Sequence, residues 1–143
     1  LGDNDVNLDE LECEDILKRD PNNEQALIHM GKRYKSMGLI HKAEEYFKRA
    51  AAVNPNPIIS ARHLADIYLA TRDYMAAFDL LEALTKMDQE NAYLFYNLGI
   101  VCLQLDKDKK AFVYLKKARE KCKDKNLMQK IRRIAKIQSQ KES

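Results

Sequence analysis

Apolar and small residues recur along this chain at a fixed spacing of 34 positions. The series Leu27, Met30, Gly31, Tyr34, Ala43, Phe47, Ala50, Pro55 returns one period later as Ala61, Leu64, Ala65, Tyr68, Ala77, Leu81, Leu84. It returns again as Phe95, Leu98, Gly99, Cys102, Ala111, Leu115, Ala118, with no insertion or deletion. Within each unit the apolar positions fall three and four apart, which is the spacing of one face of an α-helix. Each unit carries two such stripes separated by a short turn. A fixed period of this length predicts an array of helical hairpins. One hairpin cannot bury both of its stripes, so hairpins must stack and share a core.

The smallest residues mark the tightest packing. Gly31, Ala65 and Gly99 share one phase, and Ala43, Ala77 and Ala111 share another. Glycine inside a helix costs about 1 kcal/mol relative to alanine, so its presence implies a close approach. The expectation is a second helix backbone passing too near for a side chain.

The pattern predicts helices over about 24–37, 41–53, 58–71, 74–87, 92–105 and 108–122. Gly38 supplies the first turn, Asp73 an N-cap, and Pro57 sits near a first helical turn. A preceding helix is expected from Asn7 to Lys18 and ends before Pro21. Its Cys13 and Ile16 occupy second-helix phases when the repeat is projected backwards. A last amphipathic helix is expected over 126–139, with Leu127, Met128, Ile131, Ile134 and Ala135 on one face and Lys130, Arg132, Arg133 and Lys136 on the other. Residues 1–6 are polar and acidic and are expected to be disordered.

The residues at these phases (a large apolar residue, Leu-Gly, Tyr, Ala, Phe, Ala, Pro) resemble the tetratricopeptide repeat (TPR) family. The first unit matches nearly every phase, with Leu27 where the family often has Trp. The second has Ala61 at that phase and Gln89 where Pro is usual; the third has Cys102 for Tyr and Lys123 for Pro. The resemblance implies an all-α fold, a TPR-type α-solenoid of antiparallel helix pairs forming a right-handed superhelix. It divides the chain into a capping helix and tail over 1–23, three repeats over 24–57, 58–91 and 92–125, and a basic capping helix and tail over 126–143.

The resemblance also implies a function. In this family the first helix of each pair lines a concave groove that holds a partner peptide or helix. Gln25, Ile28, His29, Lys32 and Ser36 fall at groove phases in the first repeat. The second contributes Ile59, Arg62, His63, Asp66 and Ala70, and the third Tyr93, Tyr96, Asn97, Ile100 and Gln104. The predicted site is Ile28, His29, Lys32, Arg62, His63, Asp66, Tyr93, Tyr96, Asn97 and Ile100. His29, His63 and Asn97 would form a polar ladder, Lys32 and Asp66 a pair across repeats, and Tyr93, Tyr96 and Ile100 an aromatic-apolar anchor. Some family members hold a chaperone's terminal carboxylate with a Lys, Asn, Asn, Lys, Arg set. The matching phases here carry Ile28, Lys32, His63, Tyr93 and Asn97, so that specificity is not expected. Three repeats with flanking helices also resemble type III secretion chaperones in size and architecture.

Composition narrows the alternatives. The chain has 143 residues, 45% of them apolar and 33% charged, with only four Gly and three Pro. These values suit one helical core with short loops. Three cysteines lack metal-ligand or disulfide spacing, which favours a reducing, cytoplasmic setting. The chain begins without Met, as an excised or processed piece would. No apolar run is long enough to span a membrane.

No phosphate loop, HExxH or nucleophile elbow is present, so no catalytic, cofactor or metal residues are assigned and no enzymatic activity is expected. The net charge of +3 conceals an asymmetry: residues 1–20 hold eight acids and two bases, whereas residues 107–143 hold fourteen bases and four acids. The basic end offers a second reading, contact with nucleic acid or an anionic surface, although it lacks interleaved aromatic residues for base stacking. The asymmetry itself suggests head-to-tail self-association.

Overall fold

The computed structural model describes residues 9–141. The described residues form eight α-helices and no strand: α1 (Glu10–Arg19), α2 (Glu24–Ser36), α3 (Ile40–Val53), α4 (Ile58–Ala70), α5 (Tyr74–Met87), α6 (Ala92–Gln104), α7 (Asp108–Lys121) and α8 (Lys125–Lys141). The expected disorder over residues 1–6, and the first two expected helical positions, Asn7 and Leu8, lie outside the described residues. The helices keep the period of the sequence. α2, α4 and α6 start at Glu24, Ile58 and Ala92, and α3, α5 and α7 at Ile40, Tyr74 and Asp108, with equal lengths within each set. The chain divides into two compact units, one through Ile67 and one from Tyr68, so the division falls within α4.

In the first unit α1 starts with a capping box. Asp9 accepts from the Glu12 amide at 2.8 Å, and the Glu12 carboxylate accepts from the Asp9 amide at 3.2 Å. Two of the amides left unpaired at a helix start are thereby satisfied. One face of α1 packs on α2 and α3: Cys13, Ala26 and Met30 are buried together, with Ile16, Leu17, Tyr34 and Tyr46 against them. Arg33 fastens α2 to α1 through Glu10 at 2.8 Å. The Glu24 carboxylate at the start of α2 accepts from Asn54 Nδ2 at 2.8 Å and from the buried Ser60 hydroxyl at 3.4 Å. The ends of α3 and α4 nearest it are tied to α2 in this way.

Gly31 shows what the small phase is for. A Cβ placed there would lie 2.5 Å from Cε1 of Phe47 and 2.8 Å from two further ring atoms. In the second unit a Cβ on Gly99 would lie 2.7 Å from Leu115 Cγ and 2.8 Å from its Cδ2. The expected crowding is real, but its source differs from the sequence reading. A large side chain from the partner helix fills the space, and at Gly99 the nearest backbone atom, Ala111 O, is 3.5 Å away. The period therefore couples a small residue on one helix to a bulky one sixteen positions later.

The turns are also shared. After α2, Gly38 adopts φ 78°, its amide donates to Lys35 O and that of Leu39 to Tyr34 O. This is the Schellman arrangement, which satisfies the last carbonyls of a helix through one left-handed residue. Arg72 (φ 61°) and Asp106 (φ 57°) repeat it after α4 and α6, with Asp73 N donating to Tyr68 O and Lys107 N to Cys102 O.

In the second unit α8 closes the core. Leu127 and Ile131 are buried with Ala92, Phe95 and Ala118, and Tyr96, Tyr114 and Cys122 pack around them. Asp124 caps α8 by accepting from the Asn126 and Leu127 amides. No described helix is long and apolar enough to cross a membrane.

Candidate functional site

Six of the ten predicted groove residues lie in the first unit. Ile28, His29 and Lys32 occupy α2, and Arg62, His63 and Asp66 occupy α4 at the same relative spacing. The spacing i, i+1, i+4 puts each trio on one side of its helix. Ile28, His29 and His63 are half-buried, whereas Lys32, Arg62 and Asp66 are exposed.

His63 is the fixed point. Its ring lies nearly flat on Phe47, with centroids 5.0 Å apart and planes 9° apart. Burial pushes its pKa below the usual 6.5; the Lys32, Lys35 and Arg62 cations push it the same way, and Asp66 pulls it back. The imidazole is accordingly neutral near pH 7, with one ring nitrogen to donate and one to accept. The expected Lys32–Asp66 ion pair does not form; neither side chain has an ion-pair partner among the described residues. Both are exposed, and an exposed pair contributes only about 0–1 kcal/mol, too little to offset the ordering of two side chains. Their charges bear instead on His63.

The remaining four residues, Tyr93, Tyr96, Asn97 and Ile100, line α6 in the second unit. Tyr93 is exposed, and its hydroxyl donates to Asp124, whose carboxyl is held below the usual range chiefly by that bond and then by the two amides it caps. Tyr96 is half-buried in the cluster beneath α8, and burial raises its phenol pKa. Asn97 and Ile100 are half-buried. The structure thus draws the second unit's tyrosines toward the seating of α8.

Two features escaped the sequence reading. Lys35, one turn beyond Lys32, adds a third cation around His63, and helical spacing alone could have shown it. The second is a cleft of about 530 Å³ within the second unit, formed by residues of α5, α6 and α7 together with Gln89. Its members lie on three separate segments, so no local pattern announces it. Cys13 and Cys102 are buried, and burial raises both thiols above their usual pKa, with Asp9 and Glu12 adding to the effect at Cys13. Among the described residues no group of three or more His, Cys, Asp or Glu side chains could hold a metal ion.

Comparison with known proteins places this arrangement. Residues 24–57 match the family described as Tetratricopeptide repeat. The segment 24–57 is a tetratricopeptide repeat, and the helical units that follow keep its period. Anaphase-promoting complex subunit 3 of Schizosaccharomyces pombe is 29% identical over 86 residues, which is 60% of this chain but only 13% of that protein.

Among solved structures, the crystal structure of MamA is similar with a TM-score of 0.70 and 25% identity, covering 77% of this chain and 64% of that one. YrrB, a TPR protein with an unusual peptide-binding site, is similar with a TM-score of 0.66 and 22% identity, over 76% of this chain and 56% of that one. The first TPR of Spaghetti (RPAP3), bound to an HSP90 peptide, gives 0.71 with 14% identity, over 84% and 96%. These TPR neighbours are α-solenoids and share the fold. This chain spans a small part of its curated relative and under two thirds of the MamA chain.

Proposed function

We propose that this chain is a protein-interaction module that binds a segment of another protein along the first helices of its repeats. The repeat boundaries we assign are 24–57, 58–91 and 92–125, and the binding residues are the six of the first unit, Ile28, His29, Lys32, Arg62, His63 and Asp66; in the second unit Tyr93 and Tyr96 are engaged with α8 and its cap. The observation that carries the reading is the α2–α4 face. A rigid neutral histidine is surrounded there by Lys32, Arg62 and Asp66, three exposed charged side chains with no ion-pair partner among the described residues.

Within a packed protein, charged side chains commonly find partners on neighbouring elements, as Glu10–Arg33 and Glu90–Lys121 do here. Uncommitted charges around a pre-set hydrogen-bonding ring suit an incoming polypeptide. The backbone of that segment can use both imidazole nitrogens, and its acids can meet Lys32, Lys35 and Arg62. Rigid first contacts lower the ordering cost of binding. The peptide-bound TPR neighbour and the peptide-binding site named for YrrB support the same class of ligand.

The test is affinity capture from the native source with the full chain as bait, quantified by mass spectrometry. The Lys32→Glu/Arg62→Glu double variant keeps both core faces intact, so helix content should stay unchanged. Specific partners should be depleted at least several-fold. An unchanged set of captured proteins would show the face to be misassigned.

A further inference from the structure

We propose that the cleft of the second unit receives α1 of a second copy of this chain, so that copies join head to tail through a surface separate from the α2–α4 face. The cleft is lined by an aromatic pair among polar and charged side chains, with Glu82 the acid of the set. Phe95 is stacked on Tyr114 with centroids 6.4 Å apart, and Thr85 is turned inward with its hydroxyl donating to Glu82 O. The rim is cationic: Lys117 and Lys121 both hold their ammonium groups 5.7 Å from the Phe95 centroid, and Lys86 also lines the cleft, from α5.

The cations are only partly answered. Lys86 reaches Glu82 at 4.0 Å, and Lys121 reaches Glu90 at 3.0 Å. Lys117 has no ion-pair partner among the described residues. Glu90 is itself 84% exposed, so an incoming carboxylate can take its place at Lys121 with little loss. The matching occupant is a helix face that carries a large apolar side chain flanked by acids.

This chain displays such a face on α1. Leu11 is 71% exposed, the highest value among the exposed large hydrophobic residues described. Glu14 and Asp15, three and four positions on, share its side of the helix and are exposed. The opposite side of α1 is committed to the first unit through Cys13, Ile16 and Leu17. Leu11 therefore faces outward because α1 is docked, not because it is loose. Glu14 and Asp15 would meet Lys117 and Lys121 at the rim, with Leu11 covered against the mouth of the cleft. Because the two surfaces differ, the contact is heterologous and need not stop at a dimer.

Sedimentation velocity on the full chain, over a range of protein concentrations and salt, tests the proposal. At low salt the weight-average mass should rise with concentration above the 16.6 kDa of one chain. At about 1 M salt, where the screening length falls to about 3 Å, it should return toward that value. Leu11→Asp and Lys117→Glu should each weaken association about tenfold or more, whereas Lys32→Glu/Arg62→Glu should leave it unchanged.

Mixing Glu14→Lys/Asp15→Lys with Lys117→Glu/Lys121→Glu should restore assembly that neither variant shows alone. Circular dichroism confirms that each variant is folded. The proposal is overturned if the chain stays at one-chain mass at high concentration and low salt. It is overturned equally if assembly survives both single variants, if the folded charge-reversed pair does not assemble, or if salt changes the shape without changing the mass.

Discussion

Helix propensity and packing make opposite predictions for Gly31→Ala, which makes it the sharpest test of the repeat. On propensity alone the substitution should stabilise α2 by about 1 kcal/mol, because glycine is the more costly residue in a helix interior. The structure argues the reverse. The new methyl carbon would sit 2.5, 2.8 and 2.8 Å from three atoms of the Phe47 ring, where ordinary carbon contacts are about 3.5–4.0 Å. The ring would have to retreat by about 1 Å, the difference between those distances. It has little room, since Phe47 is fully buried and one face lies against His63. Moving it disturbs the His63 stack as well as the α2–α3 contact. Overpacking of this kind costs about 1–3 kcal/mol, with the upper end fitting a ring held on both sides.

Setting the propensity gain against that cost leaves a net loss of about 1–2 kcal/mol for Gly31→Ala. At about 2–4 °C per kcal/mol for a chain of this size, the thermal midpoint should fall by about 2–8 °C. The measurement is urea and thermal unfolding followed by circular dichroism, with Phe47→Leu and the double variant completing a cycle. The double variant should be more stable than the sum of the single effects implies, because a smaller side chain at position 47 relieves the clash. A higher midpoint for Gly31→Ala, or strict additivity across the cycle, would refute the packing argument. Gly99→Ala is a built-in comparison. Its obstacle is a leucine side chain rather than an aromatic ring pinned by a stack, so its loss should be the smaller of the two.

Three further outcomes can be checked. Arg72 and Asp106 both hold a left-handed conformation, which costs a non-glycine residue about 1 kcal/mol or more. Arg72→Gly and Asp106→Gly should therefore each raise the urea midpoint, and a lower midpoint for both would contradict the reading of strained turns. Lowering the pH from about 7.5 towards 5 should destabilise the first unit in part through His63. Its folded pKa is below its unfolded value near 6.5, so the unfolded state binds the extra proton in that window. His63→Phe keeps a ring against Phe47 and should flatten that part of the pH dependence; an unchanged slope would remove His63 from the account. Tyr93→Phe should raise the Asp124 carboxyl pKa, read by carboxyl chemical shifts across a pH titration, and speed amide exchange in the first turn of α8, since the phenol is the largest influence holding that carboxyl low.

Most of the backbone was legible, because its period is written in spacing. All six repeat helices start and stop at, or one position from, the boundaries read from the apolar stripes. Asp73 caps α5 as its position implied, accepting from the Ala76 amide at 3.2 Å. The turn at Gly38 was legible for a local reason, a residue suited to φ above zero. The equivalent turns at Arg72 and Asp106 carry no such residue. They adopt the same conformation because the helices on either side impose it, and only projection along the period finds them.

The proposed binding face was less legible, because a phase says which side of a helix a residue occupies and not what has already claimed it. Lys32 and Arg62 surround His63, and neither has an ion-pair partner among the described residues. Tyr93 and Tyr96 occupy groove phases too, but in the second unit α8 and its cap have engaged both, one hydroxyl through Asp124 and the other ring through the cluster around Leu127 and Ile131. Identical periodic logic thus gives an open surface near one end of the sequence and an engaged one near the other. The cause is the amphipathic segment after the last repeat, which needs somewhere to bury its apolar stripe and finds it beside those tyrosines. Substituting Tyr96 would therefore disturb the seating of α8 before it informed on binding, which is why Lys32 and Arg62 are the cleaner probes of the partner.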